Sequence, residues 1–381
     1  MLGMAKTILS NKFPARERSW MQRYEKQSSR IVYVGTYNGG GNDSLYVLSM
    51  DKSTGKLSAI GGYAEVEMPS FLTVDTERGR VFAVSELQDE AGKEGGEVAS
   101  YAVEAETGAL RYIGNQPSFG ASPCHLVTDR EGRRLVVANY TSGSVSLYPI
   151  SEDGSIGPLA DRKQHEGHSA RSDRQEAAHA HCTVLKDSRI YVADLGTDKI
   201  MIYNVQENEA KPSLVLHGEV QVHAGAGPRH MAFHPDLSYA YVINELDSTI
   251  TAFGYSQEAG TLREIQTVSA LPEGFAGESY CADIHIGVTG DYLYGSNRGH
   301  DSIAVYRIDR TSGKLTLIQH EPTGGAWPRN FAVTPDGKFV LAANQNSDSI
   351  VTLAVNENTG RLEPTGYELR IPKPVCIQFF D

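Results

Sequence analysis

The sequence predicts an all-β fold: one seven-bladed β-propeller of four-stranded antiparallel blades, closed by pairing of its N- and C-terminal segments. Three observations predict it. A strand phrase ending in a small polar residue recurs seven times, each copy is followed by a second strand phrase and a glycine turn, and the strand missing before the first copy is found at the far end of the chain. A repeat of about fifty residues that carries several short strands is the mark of a propeller.

The recurring phrase reads IVYVGTY, RVFAVSEL, RLVVANY, RIYVADL, AYVINEL, YLYGSNR and FVLAANQ. Its last position is Thr36, Ser85, Asn139, Asp194, Asn244, Asn297 and Asn344 in turn. The strand after it has the form SLYVLSM, SVSLYPI, KIMIYNV, TITAFGY, SIAVYRI or SIVTLAV, and turns such as KSTGKL, RTSGKL and ENTGRL follow. Their Thr-Gly and Ser-Gly steps supply the positive φ of a tight hairpin, and GGGN at 39–42 and GG at 95–96 also read as turns. Upstream lie PSFLTVD, PCHLVTD, HAHCTVL, PRHMAFH, YCADIHI and PRNFAVT, which makes four strands per unit. Only the first unit, from Ile31, lacks that strand, and KPVCIQFF at the other end supplies it. Such closure removes two open sheet edges. The propeller then spans residues 31–381, and residues 1–29 form a charged extension with a short helix expected near Ser19–Lys26.

Composition narrows the function. The formal charge of −12 argues against nucleic acid or an anionic membrane as partner, since both need a basic footprint. No apolar run is long enough for a signal peptide core or a membrane span, so a cytoplasmic protein is expected. Cys124, Cys182, Cys281 and Cys376 are far apart in strand-like runs and read as buried small hydrophobes. A monomer is the default, with a weak homodimer through the 87–97 or 157–178 loops as the alternative.

In an antiparallel blade, the start of the inner strand and the end of the next lie at one edge, so around a propeller these edges form a ring. That ring places His125 with Tyr140, His181 with Asp194 and Leu195, and Arg229 and His230 with Asn244 and Glu245. It also places Asp283 and His285 with Asn297 and Arg298, and Arg329 and Asn330 with Asn344 and Gln345, while Glu86, Ser85 and Tyr37 complete it. Turn chemistry does not call for His181, Arg229, Glu245 and Arg298, and buried charges are costly unless paired or used. The recurring asparagines also fit a structural role, because their amides bond local backbone.

The phrases VGTYNGG, HAHCTV, GPRHMAFHPD with YVINEL, GSNRGHDSIAVY and WPRNFAVTPDGKFVLAANQNSDSI resemble the seven-bladed propeller lactonase family, which includes propeller-type 6-phosphogluconolactonases and carboxy-muconate lactonizing enzymes. The resemblance covers residues 31–381 and implies a site of His181, Arg229, Glu245 and Arg298. It implies hydrolysis of a sugar-acid lactone, 6-phosphogluconolactone foremost; no metal or cofactor is expected, since Arg229 and Arg298 at the same ring would repel a dication. Opening a lactone needs a base for water, a donor for the oxyanion and an acid for the leaving alkoxide. Glu245 or His181 is expected as the base, Arg229 as the carbonyl's donor, and Arg298 with Arg329 as the clamp for a phosphate or carboxylate. His125, Tyr140, His230, Asp283, His285, Asn297 and Gln345 are expected to complete the binding site for a small anionic lactone.

Competing readings stand beside this one. A calcium-dependent lactonase would use Glu86, Glu245, Asp283 and the asparagines as oxygen ligands. A zinc site would use His165, His168, His179 and His181. A cycloisomerase acting on another lactone and a non-enzymatic binding propeller are the remaining alternatives.

Overall fold

The computed structural model describes residues 28–92, 94–207 and 211–381. The helix expected near Ser19–Lys26 lies outside the described residues. Seven four-stranded antiparallel sheets are present, as the repeat predicts. Blade 1 holds Ser29–Thr36, Leu45–Asp51 and Leu57–Tyr63, and its innermost strand is Pro374–Phe380. Blades 2 to 7 each use four consecutive strands, whose innermost members are Leu72–Asp75, Pro123–Thr128, Ala180–Lys186, Pro228–Phe233, Tyr280–Ile286 and Pro328–Val333.

The core is divided into seven slabs, one between each pair of neighbouring blades. Between blades 5 and 6, for example, Tyr241, Ile243 and Ile250 pack on Leu293, Ala304 and Tyr306. Alternation along each strand sends side chains into the slabs on both faces, which is why the second strands read as continuous apolar runs. The tyrosine three residues before the phrase's last position has a further use. Tyr33, Tyr191, Tyr241 and Tyr294 reach across their slabs to donate to the carbonyls of Gly108, Gly260, Gly313 and Gly360 in the next blade's outer turn. Those glycines have φ between 67° and 73°, a conformation open to glycine without a Cβ penalty. From blade 7, Thr352 donates to Gly55 of blade 1 in the same manner.

Closure is the expected one: Pro374–Phe380 pairs with Ser29–Thr36, with Ile31 opposite Phe380 and Gly35 opposite Cys376. Val375, Cys376 and Ile377 are fully buried, and Arg30 holds Asp381 by a 2.9 Å ion pair. Burial of each such aliphatic side chain contributes roughly 1.5–3 kcal/mol, a large share of a typical net stability of about 5–15 kcal/mol. Deleting residues 374–381 is therefore expected to abolish the cooperative melt and to leave an aggregating chain with an open edge. Circular dichroism melting with size-exclusion chromatography checks this, and a truncated monomer melting within a few degrees of the full chain would refute it.

Candidate active site

Two repeat positions build the site. The first is the residue directly after the phrase's last small polar residue, where the chain leaves the second strand at the tunnel mouth: Tyr37, Glu86, Tyr140, Glu245 and Arg298. The second is a bulge near the start of the inner strand. In blade 5 Pro228 pairs with Asn244 and His230 with Ile243, leaving Arg229 as the extra residue. The same slip frees Cys124, His181 and Arg329 in blades 3, 4 and 7. A bulge re-aims a side chain that regular pairing would send elsewhere.

All of these except Arg229, together with Arg174, Tyr280 and Trp327, line a cavity of about 290 Å³. Three guanidiniums converge on Glu245, which is buried: Arg229 Nε donates to Oε2 at 3.0 Å, Arg298 approaches Oε2 at 2.9 Å, and Arg174 donates to Oε1 at 2.6 Å. Burial alone would raise the Glu245 pKa, but Arg298, Arg229 and Arg174 overcome it and hold the carboxyl far below the usual range. Arg298 also donates to the carbonyls of Tyr280 and Cys281 and lies over the rings of Tyr280 and Trp327 at 6.0 and 5.6 Å. Its NH1 has no partner among the described residues. Arg329 is held loosely, 5.0 Å over the Tyr37 ring and 3.9 Å from Glu86, whose Oε2 accepts from the Tyr37 hydroxyl.

His181 is buried with its Nδ1 3.8 Å from the Cys124 thiol, and no described residue hydrogen-bonds its Nε2. Burial, followed by the charge of Arg229, depresses its pKa well below 6.5, so the imidazole is neutral at pH 7. Burial pushes the Cys124 thiol up, which keeps it protonated. Trp327 adopts φ 65°, a left-handed conformation that costs a non-glycine residue about 1–2 kcal/mol. The residues before the inner-strand prolines of four other blades, Met68, Ser122, Gly227 and Lys373, share that turn, and at this one an indole is carried to the cavity wall.

Farther along the inner strands runs a chain of hydrogen bonds. The Ile377 amide donates to Asn330 Oδ1, and Asn330 Nδ2 donates to Asp283 Oδ2. Asp283 Oδ1 faces His230 Nδ1 at 2.8 Å, and His230 Nε2 lies 3.1 Å from Arg229 NH1. A guanidinium can only donate, so His230 Nε2 accepts and its Nδ1 carries the proton given to Asp283. Burial and then Arg229 lower the His230 pKa to about 4, consistent with a neutral ring. His285 Nε2 is 3.0 Å from the other Asp283 oxygen; burial opposes protonation of this ring, and Asp283 more than offsets it.

A family model described as lactonase, 7-bladed beta-propeller, matches residues 31–379. The chain belongs to the seven-bladed β-propeller lactonase family. Within that family it is 35% identical to the 6-phosphogluconolactonase of Bacillus subtilis, over 92% of this chain and 98% of that one. It is 32% identical to a 6-phosphogluconolactonase of Formosa agariphila, over 92% and 99% of the two chains. Among solved structures, the periplasmic gluconolactonase PpgL of Pseudomonas aeruginosa superposes with a TM-score of 0.84 at 30% identity, covering 92% of this chain and 99% of that one. Membership makes the chain a lactone-hydrolysing enzyme by family.

Of the residues singled out from the sequence, His181, Glu245, Arg298, Tyr140 and Arg329 line the cavity together. Arg229 lies behind Glu245, only 2% exposed, rather than on the wall where a direct carbonyl donor was expected. His230, Asp283 and His285 belong to the chain of bonds beyond the cavity, and His125 stacks on Phe71 at 3.9 Å with Thr183 on its Nδ1. Asn297 spends its amide inside the blade on the Ala270 carbonyl, the structural role open to these asparagines. Gln345 lies outside the cavity lining and bonds Asn346.

The metal arrangements do not assemble. His165 binds Asp194 at 2.6 Å, His168 is exposed, and His179 stacks on Tyr140. The oxygens of Glu245 and Asp283 are taken up by the donors described above. Among the described residues no three His, Cys, Asp or Glu side chains are grouped to hold an ion.

Sequence reasoning gave no role to Arg174, Tyr280 or Trp327, read Cys124 only as a buried hydrophobe, and placed Tyr37 and Glu86 on the ring with no part in the lactone site. Tyr37 and Glu86 could have been found, because they occupy the same repeat position as Glu245 and Arg298. No helix among the described residues is long and apolar enough to cross a membrane.

Proposed function

We propose that this enzyme hydrolyses 6-phosphogluconolactone to 6-phosphogluconate. The observation that carries the reading is charge. Around the cavity Arg174, Arg229, Arg298 and Arg329 face the carboxylates of Glu86 and Glu245, which leaves an excess of positive charge in a chain whose net charge is −12. A phosphate monoester, at roughly −1.5 to −2 near neutral pH, complements that excess, whereas the unphosphorylated lactone is neutral.

In this reading His181 Nε2 takes a proton from water as the water oxygen bonds to the lactone carbonyl carbon. The carbonyl oxygen becomes an oxyanion that the free NH1 of Arg298 receives, with the Arg229 charge behind it. The C–O ring bond then breaks, and the imidazolium returns its proton to the departing alkoxide, so that one water is consumed and one carboxylic acid formed. Glu245 orients the guanidiniums and is not the base, because a carboxylate held by three arginines has little proton affinity left. Arg329, with most of its donors unfilled, takes the phosphate. No step requires a metal. A cytoplasmic monomer acting on a small soluble anion fits the reading.

The test is the hydrolysis of freshly generated 6-phosphogluconolactone beside unphosphorylated gluconolactone, with and without chelator and after subtraction of the spontaneous rate. Chelator-resistant acceleration of the phosphorylated lactone is expected. Acceleration of neither compound would sink the proposal, and a preference for the unphosphorylated one would move the substrate toward that named for the Pseudomonas relative.

A further inference from the structure

Among the groups on the cavity wall, Arg174 has a distinct origin, since it belongs to no blade strand and its neighbours on the wall all come from strands or the turns that bound them. It is carried by the segment between Gln164, where the last strand of blade 3 ends, and Ala180, where blade 4 begins. This segment is a built strap. Gln175, fully buried, donates to the Leu195 carbonyl at 2.8 Å and to Asp198 Oδ1 at 2.7 Å. Asp198 is itself buried and also accepts from Ser169 and from the amides of Gly225 and Gly227. Arg171 fastens the strap to blade 5 through the Leu246 carbonyl at 3.0 Å. Burying a carboxylate and an amide to hold a surface excursion is costly unless they are fully bonded, and here they are.

The result is one guanidinium held over the mouth. Arg174 NH2 bonds both Glu245 Oε1 and the Tyr140 hydroxyl, at 2.6 and 3.2 Å, and its Nε and NH1 have no partner among the described residues. Its side chain is 32% exposed. Arg298 has spent Nε and NH2 on the protein, and Arg229 is buried behind Glu245. With the NH1 of Arg298 given to the oxyanion in the reading above, the remaining open guanidinium donors toward an anion at the mouth come from Arg329 and Arg174.

We propose that Arg174, delivered by the 165–179 strap, is the second phosphate ligand and the residue that makes the site discriminate a phosphorylated lactone from its unphosphorylated counterpart. This rests on the reading of the site given above. Two arginines from opposite origins, one on an inner strand and one on a strap, grip a phosphate from two sides, as bidentate guanidinium chemistry favours.

The experiment measures competitive inhibition by 6-phosphogluconate and by gluconate, together with kcat/KM on the two lactones, for wild type, Arg174→Gln, Arg174→Lys and Gln175→Ala. Loss of a charge-assisted contact to phosphate is expected to weaken 6-phosphogluconate on the order of 10- to 100-fold in Arg174→Gln. Gluconate is expected to weaken far less, and Arg174→Lys to recover part of the difference. Gln175→Ala keeps the guanidinium but loosens the strap, and is expected to lose discrimination in the same direction. Equal weakening of both acids in Arg174→Gln would mean that Arg174 acts only through Glu245, and would overturn the proposal. Undiminished discrimination in Gln175→Ala would overturn the role of the strap. A wild type that does not accelerate hydrolysis of the phosphorylated lactone would instead remove the functional reading beneath.

Discussion

Replacing His181 with alanine is expected to lower kcat on the lactone by about 10²–10⁴, the span of general base catalysis, while the protein still melts cooperatively. His181 is the one histidine lining the cavity among the described residues, and its Nε2 has no described partner to compete with water. The Arg229 charge that helps to make this ring a weak base also stabilises negative charge on the substrate as the water attacks. Proton uptake by His181 and oxyanion formation thus assist each other. The pH dependence follows in sign. A base must be unprotonated, and the His181 pKa is depressed well below 6.5 by burial and Arg229, so kcat/KM should stay level through the usual histidine range and fall only at lower pH. A pH–rate profile checks both claims, and an acid limb at about 6.5 would point to a histidine of ordinary pKa.

Replacing Glu245 with glutamine is expected to damage the fold as well as the reaction. It removes the one carboxylate shared by Arg174, Arg229 and Arg298 and leaves buried cations uncompensated, which costs roughly 3–5 kcal/mol. A melting curve checks this, and a variant of native stability would mean that the three ion pairs do not hold the fold. The sign with pH is also fixed. A carboxyl whose pKa is depressed in the folded state contributes stability that is fully present above its unfolded value, about 4.3, and is lost as pH falls toward the folded one. The stability gap between wild type and Glu245→Gln should therefore narrow on acidification below that value.

The repeat made the blades legible because a propeller asks the same thing of every unit: an apolar second strand, a turn glycine and a small polar residue at the mouth. It made half the site legible for the same reason, since Glu245 and Arg298 depart from the repeat at a position where Leu195 shows that charge is not required. The bulges were not legible. Whether Arg229 or His230 leaves the ladder is decided by inner-strand pairing, and the letters PRH are compatible with either. Hence Arg229 was assigned to the cavity wall when it stands behind it. Arg174 was hidden for a different cause: its segment has no counterpart in the other blades and no periodicity, and its placement depends on Asp198, a contact between distant parts of the chain. Trp327 and Tyr280 were hidden because a residue that opens a strand gives no sign of which way it faces.

The closing strand has a consequence for how the enzyme is made. During synthesis Ser29–Thr36 emerges early, yet its inner partner, Pro374–Phe380, is translated after every other blade, so the nascent chain carries an unpaired edge through most of its elongation. Such an edge invites pairing with other chains, and holdase chaperones act on exposure of this kind. Because the Ile377 amide begins the series of bonds through Asn330, Asp283 and His230 to Arg229, the strand that closes the ring is also tied to the guanidinium behind Glu245. Ring closure and the support of the Arg229–Glu245 pair thus draw on the same strand.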